Sequence, residues 1–322
     1  MSGPFVVMAG LAATMAVAAC QEPDETIEPE ELAELAEESP PDDAVLAGSG
    51  HYEFTGTPLA EERPVPVWYH LPEALSGEAP VALVLHGAGR DGRRYRDAWI
   101  PVAEERGFAV AVPEFRNEAG LYPGTEAYNL GRVTDSDGAL RPREEWSYSV
   151  LEPLFEDFLV RSGLEADGYG LYGHSAGSQV AHRFLTLFPD ARAEPVVLAN
   201  AGWYTLPADD EEWPYGLAHP GAAESHGMLT TPDELRSLFE RDVTILLGEE
   251  DMDPDALALR QTEGADSQGS HRVERGTTYF QIATEMAESL DVRLEWKVDT
   301  VSGVGHSNSE MAPAAAEILG GS

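Results

Sequence analysis

Short apolar runs recur along the chain, separated by longer segments whose apolar residues return every three or four positions. The runs predict strands over 51–56, 65–71, 81–86, 108–113, 168–173, 195–201, 243–248 and 292–299. Two of them, Val81-Ala82-Leu83-Val84-Leu85 and Val243-Thr244-Ile245-Leu246-Leu247, have the near-continuous apolar character of strands covered on both faces. The last, Val292-Arg293-Leu294-Glu295-Trp296-Lys297-Val298, alternates as a half-buried strand does. Helical spacing predicts helices over 93–106, 145–162, 176–188, 231–241, 278–290 and 309–319. Strand and helix in alternation imply an α/β fold with a mostly parallel, doubly wound sheet, and in such sheets functional loops gather at the carboxyl ends of the strands. Two long connections, 115–144 and 202–230, are expected to shape a substrate cleft, because loops of that length in a compact domain usually bind something.

The amino-terminal part follows a different pattern. Residues 5–19 are apolar but too short to span a bilayer, and they end in Val17-Ala18-Ala19-Cys20. Small residues immediately before a cysteine resemble a bacterial lipobox, which implies a signal peptide over 1–19 and lipidation of Cys20; an ordinary secretory cut near Ala19, leaving a free thiol, is the alternative. Cys20 is the only cysteine of the chain, so disulfides and thiolate metal sites are excluded from the remainder. Residues 21–43 hold eleven acids and no base, the composition of an extended, self-repelling tether, and 20–46 are read as that segment. The folded domain is then 47–322, held at the cell envelope and outside the cytoplasm.

Charge narrows the partners. The chain has 58 Asp and Glu against 20 Lys and Arg, a net charge of −38, and the excess of acid continues well beyond the tether. Acidity of this order disfavours nucleic acid and anionic polymers, and suits a salt-rich habitat in which the repulsion is screened.

Chemistry is concentrated in Tyr172-Gly173-His174-Ser175-Ala176-Gly177-Ser178. Gly-x-Ser-x-Gly between a short strand and an apolar helix presents the serine on a strained bend, where glycines on either side let neighbouring backbone pass. A serine hydroxyl needs an imidazole base and an orienting acid, in the chain order serine, acid, histidine. The loop Gly248-Glu249-Glu250-Asp251-Met252-Asp253-Pro254 follows a predicted strand and offers several carboxylates. His306, on the glycine-flanked loop after the last strand, is the natural base. Negative charge on a substrate carbonyl would need two N–H donors, one from Ala176 at the helix start and one from the glycine-rich turn His86-Gly87-Ala88-Gly89-Arg90-Asp91-Gly92. That turn matches neither Gly-x-Gly-x-x-Gly nor the Walker pattern, so a phosphate cradle is not expected.

Together these motifs resemble the α/β-hydrolase superfamily. His86-Gly87-Ala88-Gly89 paired with Gly173-His174-Ser175-Ala176-Gly177 is similar to its poly(3-hydroxybutyrate) depolymerase and feruloyl esterase branch, although Ser178 stands where that branch often has a second glycine. The resemblance implies a single-domain α/β-hydrolase fold and a serine esterase working through an acyl-enzyme. It selects Asp251 as the acid, with Asp253 second, and the N–H of Ala88 as the second oxyanion donor. Trp203 and Tyr204, directly after a strand, are expected to wall the acyl pocket or to pack the loop, and Trp146 belongs to a helix core or the cleft rim. Asp91 reads as a turn residue, and His51, His70, His174, His182, His219, His226 and His271 show no metal-like pairing. No cofactor and no metal are expected. The same constellation would serve a peptidase or thioesterase, and a catalytically silent surface-anchored binding protein could keep the scaffold. If screening of the acidic surface governs stability, the urea midpoint rises from low to molar salt; indifference to salt would remove the halophilic reading.

Overall fold

The computed structural model describes residues 45–222 and 227–320. Cys20, the stretch 1–19 read as a signal peptide, 20–44 of the expected tether and His226 lie outside the described residues; Leu46, counted in that tether, is instead buried and donates its N–H to Arg161 O at 2.9 Å, so the folded part begins before residue 47. Eight strands form one sheet in the order β1-β2-β4-β3-β5-β6-β7-β8. They are β1 (Gly48–Phe54), β2 (Val65–Leu71), β3 (Val81–Leu85), β4 (Ala109–Pro113), β5 (Tyr169–His174), β6 (Ala193–Ala199), β7 (Val243–Gly248) and β8 (Lys297–Val301). The pairs β1/β2 and β2/β4 are antiparallel and all others parallel. The helices are α1 (Pro58–Glu62), α2 (Gly92–Arg106), α3 (Gly124–Ala127), α4 (Leu151–Ser162), α5 (Ala176–Leu187), α6 (Pro232–Phe239), α7 (Glu263–Asp266), α8 (Arg272–Ser289) and α9 (Asn308–Leu319). None of the helices among the described residues is long and apolar enough to cross a membrane.

The unbroken apolar runs are explained by a sheet covered on both sides. In β3, Val81, Leu83 and Leu85 face one core cluster, shared with α4, α5, α6 and α8, while Ala82 and Val84 face the other, shared with α2 and α9. β6 divides in the same way, with Val196 and Leu198 on one side and Val197 and Ala199 on the other. Both faces being dry, the usual polar alternation has no place to appear. From β3 the chain first winds outward to β4, then crosses to β5 on the opposite side. The carboxyl ends of β3 and β5 therefore flank the switch point, where α/β sheets open a crevice.

Three element boundaries differ from expectation by five residues or more. The segment 145–162 is not one helix: two 3₁₀ turns over Arg143–Glu145 and Ser147–Val150 precede α4, and Trp146 between them is extended. Pro153 agrees with this start, because in the first turn of α4 its missing N–H would have no intrahelical partner anyway. Trp146 itself is buried and meets Phe188 edge-on, in the core. Residues 292–296 are not part of β8, since their bonds go elsewhere: the Glu295 N–H donates to Phe239 O and Trp296 Nε1 to Leu238 O at the end of α6. Finally, α8 starts six residues earlier than its apolar pattern predicts, with the His271 ring accepting the Glu274 N–H as its cap.

Candidate active site

Ser175 follows β5 and precedes α5 with φ of 57°, a left-handed backbone that a side chain adopts only under constraint. Its N–H is anchored to Ala199 O at 2.9 Å. The constraint is steric. A Cβ on Gly177 would lie 2.0 Å from Leu85 O, and one on Gly173 would lie 2.3 Å from Gly177 O, so α5 can close onto β3 and β5 only with glycine at both positions. The bend aims the serine hydroxyl outward at the switch point.

Ser175 Oγ lies 2.9 Å from His306 Nε2, and His306 Nδ1 lies 2.6 Å from Asp251 Oδ2. Three side chains from the ends of β5, β7 and β8 thus form one hydrogen-bonded line. Asp251 is buried; its second oxygen accepts Arg272 NH1 at 3.0 Å. Burial alone would push this carboxyl up, but the hydrogen bond and charge of His306, with the Arg272 guanidinium, outweigh it and hold the group below the usual carboxylate range. Asp253, by contrast, is exposed and caps its own loop by accepting the Asp255 N–H.

Two groups that sequence reasoning missed set this geometry. Arg272, in the first turn of α8, is the buried counter-charge of Asp251. Asn200, left-handed at the end of β6 with φ of 47°, accepts the Gly248 N–H at 2.7 Å and donates to Gly305 O at 3.1 Å, tying the acid loop to the histidine loop. Gly248 makes the crossing narrow enough, since a Cβ there would lie 2.5 Å from Gly305 O.

On the other side of Ser175 stand Ala88, in the turn after β3, and Ala176, the first residue of α5; both line the same cleft as the serine. As a helix's first residue, Ala176 has an N–H with no intrahelical partner. The Ala88 turn is pinned by buried groups. His86 Nε2 accepts the Phe115 N–H at 3.0 Å, which leaves the proton on Nδ1 facing Gly87 O. Burial drives this imidazole down to about 3, so it stays neutral. Arg90 donates to Phe115 O, Tyr122 O and Gly124 O and lies over the Tyr128 ring, whose hydroxyl donates to His86 O. Asp91 caps α2 by accepting the Arg94 N–H.

His174, beside the serine, packs its ring 4.7 Å from that of His306, and its Nδ1 meets the Tyr95 hydroxyl. Burial, reinforced by His306 and Arg272, drives it well below the usual histidine range. The two residues offered as pocket walls part company. Trp203 lines the cleft with Ser175, but Tyr204 does not: it is fully buried and stacks on Tyr279 at 4.4 Å. Gln268 explains the difference, since its carboxamide bonds both the N–H and the O of Tyr204 and turns that side chain into the core. His182, on α5, accepts the Thr205 N–H, which ties the connection carrying Trp203 to the helix behind the serine.

An eight-stranded, mostly parallel sheet, a serine on a glycine-framed bend and a helix covering that bend define the architecture of the α/β-hydrolases, and the chain belongs to that family. It is 37% identical to poly(aspartic acid) hydrolase-1 from Sphingomonas sp. KT-1, with a TM-score of 0.79 over 85% of this chain and 99% of that one. It is 30% identical to a poly(3-hydroxybutyrate) depolymerase from Bordetella parapertussis, with a TM-score of 0.76 over 84% of this chain and 90% of that one. An S-formylglutathione hydrolase from Staphylococcus aureus, at 13% identity and a TM-score of 0.53 over 84% of this chain and 97% of that one, shares the fold. No protein-family model and no curated protein matches the chain.

A carboxyl held below its unfolded value binds fewer protons in the native state, so its stabilisation is complete above the unfolded carboxylate value of about 3.9 and is lost as the pH falls through the lower native value. Arg272→Gln raises that native value. The variant should lose about 3 kcal/mol at pH 7, and because its native and unfolded values lie closer together it should lose less on acidification, so that the two curves converge as the pH falls. Urea midpoints from pH 7 to pH 3 test this, and superimposable curves would show that Arg272 is not the effective counter-charge.

Proposed function

We propose that the protein is an exported serine hydrolase that cleaves carboxylic esters through an acyl-enzyme. The observation that carries the reading is the continuous line Ser175 Oγ, His306 Nε2, His306 Nδ1, Asp251 Oδ2, with contacts of 2.9 and 2.6 Å. In this mechanism His306 takes the Ser175 proton as the hydroxyl attacks the acyl carbon, and Asp251 fixes the tautomer and steadies the imidazolium. The N–H groups of Ala88 and Ala176 receive the developing oxyanion, where each such donor is typically worth about 10²–10³ in kcat. His306 then passes the proton to the leaving alcohol, and water activated by the same base releases the acid. Only side chains and backbone donors take part, so no cofactor is required.

The kinship with a poly(3-hydroxybutyrate) depolymerase favours an ester bond and agrees with the depolymerase and feruloyl esterase resemblance of the motifs. A second reading, amide hydrolysis, is favoured by the 37% identity to a poly(aspartic acid) hydrolase, since poly(aspartic acid) is joined by amides. The seat of the enzyme in this proposal is the bacterial cell envelope, anchored by a lipid on Cys20 at the end of Val17-Ala18-Ala19.

Hydrolysis of p-nitrophenyl esters of increasing acyl length, beside the matching p-nitroanilides, separates ester from amide chemistry. Ser175→Ala should lower kcat/KM by about 10⁴ or more with an unchanged circular dichroism spectrum; full activity in that variant would overturn the mechanism. For the anchor, metabolic labelling with a fatty-acid analogue should mark the wild type and miss Cys20→Ser, and equal labelling of both would refute it.

A further inference from the structure

On a chain of net charge −38, the cleft beside Ser175 is reversed in sign. About 290 Å³ in volume, it is lined by Arg90 and Arg260 together with Asn117, Asn129 and Gln179, and by no Asp or Glu. A third guanidinium, that of Arg183, lies 4.1 Å from the centre of the Trp203 ring that walls the cleft, and that of Arg260 lies 4.8 Å from the same centre. Among the described residues none of these three arginines forms an ion pair: their hydrogen bonds go to backbone carbonyl or side-chain hydroxyl oxygens. Elsewhere acids are abundant enough that Arg116, Arg141, Arg192 and Arg236 all find carboxylates. Arg241, for example, also bonds only carbonyl oxygens, so what sets the cleft apart is that its arginines line a cavity without carboxylates, which leaves room for an anion that the protein does not supply.

The three are not equivalent. Arg90 and Arg183 are buried, and each makes three hydrogen bonds that hold loops in place. Arg260 is half-buried, and only its Nε is engaged, by the Tyr215 hydroxyl at 2.9 Å and more weakly by that of Thr262. Its two terminal nitrogens have no partner among the described residues, which leaves the planar fork that binds a carboxylate in bidentate fashion. The backbone that carries it is fixed, because Arg275 Nη1 donates to both Arg260 O and Gly202 O, and the guanidinium itself rests against the Trp203 and Tyr215 rings.

Geometry says which part of a substrate meets it. Ser175 and Ala88 are shared with a second cleft of about 420 Å³, the one lined by His306. The leaving group receives its proton from His306 and so departs on that side, while the acyl part occupies the Arg260 side. Resting on the hydrolase reading above, we propose that this enzyme selects acyl groups carrying a free carboxylate, the half-esters of short dicarboxylic acids, with Arg260 as the carboxylate's ligand. The acidic exterior does not oppose this. Charges beyond the screening length of about 8–10 Å at physiological salt are muted, whereas a guanidinium in contact is not.

The test compares mono-4-nitrophenyl adipate with its neutral methyl ester at fixed salt, on the full chain. The wild type should favour the half-ester by about 10- to 100-fold in kcat/KM. In Arg260→Gln that ratio should fall towards one, and Arg260→Lys should restore part of it. A wild-type ratio near one, or a ratio unchanged in Arg260→Gln, would overturn the proposal. Calorimetry on Ser175→Ala, with monomethyl adipate against dimethyl adipate, separates recognition from chemistry. Tighter binding of the monoanion, abolished by adding Arg260→Gln, supports carboxylate recognition even if neither nitrophenyl ester is turned over, in which case the hydrolase reading alone falls; equal binding of the two overturns carboxylate recognition.

Discussion

The space between Leu85 and α5 is the constraint on which the site depends. Helix α5 begins immediately beneath the end of β3, and the carbonyl of Leu85 occupies the volume that any Cβ at position 177 would need. Because the helix can come this close, Ser175 must turn through a left-handed backbone, and Ala176 starts the helix with its N–H free at the crevice. The same closeness brings the turn after β3, with Ala88, against the serine. Nucleophile and oxyanion donors are therefore consequences of one packing distance. The strain of the bend is sustained by a helix buried along its whole length.

Around this contact the protein uses buried polar groups as position markers. Asp251 sits between His306 and Arg272, Asn200 bridges two loops, His86 and Arg90 brace the turn after β3, and Gln268 directs Tyr204 inward. Each is expensive to desolvate, and each makes at least one of its bonds to a loop. Apolar packing supplies the bulk of the stability, but it is indifferent to shifts of an ångström along a strand; hydrogen bonds are not. That division explains why the sheet is greasy to its ends while the carboxyl edge is polar.

What was legible in the sequence was whatever leaves a local signature. The apolar runs located the strands, and glycine spacing located Ser175, because both are dictated by neighbours along the chain. Arg272 left no such trace. The apolar period of α8 becomes visible only near residue 278, the histidine cap is not among the usual capping residues, and the partner, Asp251, is 21 positions away. The choice between wall and loop packing for Tyr204 could not be read for a related reason: its direction is set by Gln268, 64 positions on. Val292 to Trp296 alternate like a strand, but Val292 bonds the end of α8 and Glu295 and Trp296 bond α6, a choice made by tertiary packing that no local period encodes. The sign of the cleft was hidden as well, since a global excess of acid says nothing about where the few arginines meet.

Asn200 has one consequence of a mechanical kind. Its carboxamide holds the β7 loop with its oxygen and the β8 loop with its nitrogen, and the ring of His306 follows directly after the carbonyl so held. The two loops are consequently not free to drift separately: a displacement of either one breaks a bond of the same side chain. Acid and base move as a single body on that hinge-less clamp, and their spacing is insulated from the breathing of the individual strands at the sheet's edge.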